Sequence, residues 1–104
     1  MAATSVTRSV AEQVRDAVQS VPGVAGLTSG RMGEAFLRVP GAMIEGIRVE
    51  GDKHLAVYVV YDLRSRRAIP QVVADIQAAA AAIPAYAETG APRIDVVVAD
   101  AVKA

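Results

Sequence analysis

Leu55-Ala56-Val57-Tyr58-Val59-Val60-Tyr61 is the stretch on which the fold turns. It combines valine with aromatic residues, the side chains that pack well on a pleated surface. In a strand, Leu55, Val57, Val59 and Tyr61 point one way while Ala56, Tyr58 and Val60 point the other, so both faces are apolar. A strand of that kind belongs in the interior of a sheet. It is far shorter than the roughly 20 apolar residues a membrane-spanning helix needs, and no other stretch is longer and equally apolar.

Upstream, Ile47 and Val49 alternate with Arg48 and Glu50, which suits a strand with one wet face, and Glu50-Gly51-Asp52-Lys53 has hairpin-turn chemistry. Downstream, a polar loop over 62–67 precedes Ile69, Val72, Val73, Ile76, Ala80 and Ile83, the spacing of an amphipathic helix. Pro70 suits its first turn and Pro84 should end it. Residues 86–92 read as a loop. Residues 94–99 read as a closing strand that buries Ile94, Val96 and Val98.

Towards the amino terminus, Val6, Val10, Val14, Ala17, Val18 and Val21 mark another amphipathic helix, capped at Thr4 or Ser5, or by Ser9 with Glu12. Pro22 and Gly23 end it. Residues 24–28 form a short strand, and 29–41 a loop with one helical turn. The order helix, strand, hairpin, helix, strand implies an α+β fold: a two-layer α/β sandwich with a small mixed sheet and both helices on one face. The strands on either side of the second helix should be parallel.

The chain has 104 residues, enough for one domain spanning 1–104. Apolar residues make up 53% of it, which separates it from disordered chains. Eleven basic and eleven acidic residues cancel, so no global field draws the protein to nucleic acid or an anionic membrane. There is no cysteine, which excludes disulfides and thiolate chemistry. The first residues lack a basic region followed by an apolar run, so a cytoplasmic protein is expected.

Several segments in order resemble the bacterial alkaline shock protein family, also described as general-stress or envelope-stress proteins. They are Val21-Pro22-Gly23-Val24-Ala25-Gly26-Leu27, Gly46-Ile47-Arg48-Val49, Leu55 through Tyr61, Ile69-Pro70-Gln71-Val72-Val73 through Gln77, and Thr89-Gly90 before Ile94-Asp95-Val96-Val97-Val98. The chain departs from the family in its arginine-rich turn before the second helix and in Pro84. The resemblance implies a non-enzymatic, self-associating stress-response protein. It would be cytoplasmic, or peripheral at the inner face of the membrane through a separate anchor protein. The family supplies no catalytic residue.

Candidate sites are few. His54 is the one histidine and stands beside a turn, where a solvated role is expected; neither a metal nor a cofactor is expected from one imidazole and scattered carboxylates. No Gly-x-Ser-x-Gly elbow occurs, and Glu12 with Asp16 lies on a wet helix face. With two helices on one side, the sheet face at Ala56, Tyr58 and Val60 is expected to lie open and to serve as a self-association surface. Arg64, Arg66 and Arg67 concentrate positive charge where a helix dipole does not favour it, a candidate contact for phosphate or lipid. Gly30, Arg31, Gly33 and Arg38 form a candidate binding loop. Gly30-Arg31-Met32-Gly33 also matches the Gly-x-x-Gly of KH domains, making a single-stranded RNA-binding module the alternative. In KH domains, however, that loop joins two helices.

Overall fold

A computed structural model describes residues 8–39, 41–50, 54–88 and 93–103. Helix α1 is Arg8–Gln19. It buries Val10, Ala11, Val14 and Val18, the stripe that the three- and four-residue spacing marks out. Thr4 and Ser5 and the expected turn over 51–53 lie outside the described residues, while Ser9, the alternative cap, falls inside the helix and so does not cap it. Gly23 follows with φ +101°, and a Cβ there would stand 2.7 Å from Val72 Cγ2, so glycine lets the turn press against the second helix.

Strand β1 is Val24–Leu27, β2 Phe36–Val39, β3 Ala42–Glu45, β4 Ile47–Glu50 and β5 His54–Asp62. A short 3-10 helix, Leu63–Ser65, then leads to α2, Ile69–Ala81, with Pro70 in its first turn. Pro84 does not only stop that helix. It opens a further short one, α3, Pro84–Ala87, because proline in a first turn sacrifices no intrahelical hydrogen bond. Strand β6 is Asp95–Val102.

β5 is the central strand, as its two apolar faces require. β6 pairs with it in parallel from Ala56↔Asp95 to Asp62↔Val102. β4 and β1 share the opposite edge, both antiparallel: β4 runs against residues 54–57 and β1 against 59–61. Tyr58 bridges their junction, donating its N–H to Gly46 O at 2.8 Å and accepting from Thr28 N–H at 3.0 Å. The sheet is therefore mixed, and α2 and α3 lie in the connection between its two parallel strands.

Leu55, Val57, Val59 and Tyr61 meet Val10, Val14 and Val18 of α1 and Val72, Ile76 and Ala80 of α2 in one buried core. Both helices thus cover the same face. Two expectations are corrected. The segment 29–41 is not simply a loop: β2 and β3 make a hairpin whose Leu37 and Ile44 enter that core. Four-residue strands separated by Pro40 and Gly41 have too little alternation to be read from sequence. Ile94, just before β6, is buried and Val96 packs on the core, but Val98 is 37% exposed. An irregularity follows it, pairing Val59 with Val98 and Val60 with Asp100, so the regular pairing on which its burial was expected breaks at that point.

Candidate functional site

The sheet face away from α1 and α2 carries the chemistry. Paired residues of neighbouring strands share a face, and the pairs Arg48↔Ala56, Glu50↔His54, Ala56↔Asp95 and Tyr58↔Val97 assemble on this one. The expected open apolar surface is not there. Ala56 is 1% exposed and Tyr58 9%, because Ala35 packs on them with Ala99 beside it, and Val60 is half-buried. The chain from Ser29 folds back on itself to deliver Ala35, whose N–H donates to Ser29 O at 2.9 Å. Tyr58 also raises the pKa of Arg48 above its ordinary value, chiefly by a hydrogen bond between the side chains.

His54, expected to be a solvated turn residue, opens β5 and faces two carboxylates. Its Nε2 is 3.1 Å from Asp95 Oδ2. One ligand atom from each of Glu50, His54 and Asp95 lies within 4.8 Å of the others. The imidazole Nε2 is itself shielded from solvent, yet it has no hydrogen bond of proper geometry. Glu50 and His54 flank the hairpin at a spacing that sets them opposite each other, a signal present in the sequence. Asp95, 41 positions beyond His54, joins them through the parallel pairing of β5 with β6.

The three arginines of 64–67 do not act together. Arg67 turns inward: its guanidinium donates to Pro22 O and to Asp75 Oδ2, and its carbonyl accepts from the Tyr61 hydroxyl. The Arg67 guanidinium, helped by Gln71, holds the Asp75 carboxyl below its ordinary pKa. Arg64 and Arg66 stay exposed, the latter as a left-handed residue at φ 57°. The expected charge cluster is thus two exposed arginines and one structural clamp.

Gly30 and Gly33 bound a turn closed by Gly33 N–H to Gly30 O at 3.3 Å, with Arg31 exposed. This turn follows a strand, as the sequence suggested, and links β1 to β2, whereas the KH loop joins two helices. Arg38 is exposed on the outer face of the β2–β3 hairpin, near Phe36 and Met43, which are 41% and 51% exposed.

Two further features were not read as sites from the sequence. Ala74, Ala78 and Ala81 of α2 line a groove of about 580 Å³ with Tyr86, Arg93 and Ile94. Strand β6 is an edge: eight residues long, it pairs with β5 alone among the described residues and exposes Val97, Val98 and Val102. Among the described residues no helix is long and apolar enough to cross a membrane. No protein-family model, curated protein or solved structure matches the chain.

Proposed function

We propose that this chain works as a non-enzymatic, self-associating protein whose copies join edge to edge through β6. The observation that carries the reading is the one-sided pairing of that strand. An eight-residue edge presents a row of backbone donors and acceptors, and natural sheets usually shorten, cover or charge such edges. Here Asp95, Asp100 and Lys103 supply charge, yet Val97, Val98 and Val102 stay 37–39% exposed.

A second copy is the proposed occupant, since it brings an identical edge to a two-fold pair. Main-chain bonds supply the affinity, and Val97, Val98 and Val102 of the two copies bury one another. A stress-response role at the cell envelope, reached through an anchor protein, belongs to the same proposal and rests on the resemblance of the sequence segments alone.

Light scattering over a concentration series, in the presence of a chelator, tests the reading. The wild type should form dimers. Val98→Lys, which places a charge on the exposed edge, should weaken them about ten-fold with circular dichroism unchanged, while Arg38→Glu, away from this edge, should leave them unaltered. A monomer at every concentration, or a dimer indifferent to Val98→Lys, would contradict it.

A further inference from the structure

We propose that Glu50, His54 and Asp95 bind a divalent transition-metal cation of the zinc class, at the end of the sheet where β4, β5 and β6 meet. Each residue comes from a different strand. Strand register, not local sequence, brings them together: Glu50 stands opposite His54, and Asp95 begins the parallel pairing beside it. Their ligand atoms already lie within 4.8 Å of one another. Tetrahedral bonds of about 2.0–2.2 Å to nitrogen and oxygen place donors about 3.3–3.5 Å apart, so the ligands need close by about an ångström. Glu50 and Asp95 are exposed and free to rotate that far.

A second, independent observation concerns the imidazole. His54 Nε2 is shielded from solvent, and although Asp95 Oδ2 is 3.1 Å away, no hydrogen bond of proper geometry forms. A shielded polar atom without a partner carries a desolvation cost that a bound cation would offset. Two carboxylates also outweigh a single imidazole whether it is neutral or protonated, so the cluster keeps net negative charge. Arg48, on the same face, is hydrogen-bonded to Tyr58 and also attracts Glu50; with its charge counted, the group is still net negative while the imidazole is neutral.

The donor set decides the class of ion. Magnesium and calcium take oxygen ligands, whereas one imidazole nitrogen with two carboxylates suits zinc and its transition-metal neighbours. Three protein ligands leave a fourth position for water. This site does not depend on β6 self-pairing: its three ligands all come from one chain.

The test uses untagged, chelator-stripped protein and zinc chloride. Because the chain has one histidine, its imidazole gives a single set of nitrogen and proton resonances that report on the site directly. Calorimetry should find one zinc per chain with Kd of about 10 µM or tighter, the imidazole signals should shift in step, and magnesium should not compete. His54→Gln should weaken binding at least ten-fold and Glu50→Gln should weaken it too, with circular dichroism unchanged. No heat and unshifted imidazole signals at millimolar zinc would overturn the proposal, as would undiminished binding by folded His54→Gln. Should that variant fail to fold, the imidazole titration of the wild type decides alone.

Discussion

Gly46 shows how much of this fold hangs on single backbone positions. It has φ +91°, donates its N–H to Ala35 O at 2.8 Å and accepts from Tyr58 N–H, so it joins the covering segment to the central strand. A Cβ there would lie 2.5 Å from Leu27 Cβ. Gly46→Ala should therefore cost about 2 kcal/mol or more, from backbone strain and overpacking together. Gly33→Ala has similar backbone strain, φ +67°, but meets open space, and should cost only about 1 kcal/mol. Urea denaturation of the two variants reads the difference. The role of Gly46 was not legible in the sequence, which singled out Gly23 at a helix end, Gly30 and Gly33 in a candidate loop and Gly51 in a turn. A glycine's meaning comes from what packs against it, and here Leu27 is 19 positions away.

At the scale of elements, Arg67 ties three pieces together: the turn after α1 through Pro22 O, the central strand through Tyr61, and α2 through Asp75. The bond to Pro22 alone, at about 1 kcal/mol, corresponds to a fall in Tm of roughly 4–8 °C in a domain of this size. Arg67→Ala should show at least that fall, while Arg64→Ala and Arg66→Ala should stay near the wild type. The pairing also sets a pH dependence. Arg67 lowers the folded pKa of Asp75 below its unfolded value of about 3.8, so this contribution is complete above that value and is lost as pH falls through the folded pKa. Asp75→Asn should flatten the loss of Tm in acid, measured from about pH 6 to pH 2.5. The amphipathic helices, β4 and β5 could be read directly because each carries a long or strongly periodic apolar pattern. The β2–β3 hairpin and α3 could not: Phe36-Leu37-Arg38-Val39 and Ala42-Met43-Ile44-Glu45 lack the strict apolar–polar alternation of β4, and α3 is a single turn. The arginine cluster was visible as composition, but which member turned inward depended on Asp75 and Pro22, eight residues along and 45 residues back.

For the whole molecule, the sequence implied the two layers correctly, since two apolar stripes and a two-faced strand admit few other arrangements. It erred on which surface stays open. Counting helices suggested a bare sheet face at Ala56 and Tyr58, whereas Ala35, delivered by a closed loop, covers it. The unsatisfied surface lies at the rim instead, along β6, and that edge could not be identified before the strand order was known. The cluster of Glu50, His54 and Asp95 stayed hidden for the same reason: its members meet only once β6 is placed parallel to β5. Amide hydrogen exchange across β6 as a function of protein concentration tests the central claim most directly. If copies join through this strand, its outward-facing amides become slower to exchange as concentration rises, and the change is confined to residues 95–102. Rates along β6 that do not depend on concentration, or protection that develops elsewhere on the surface, would contradict the account.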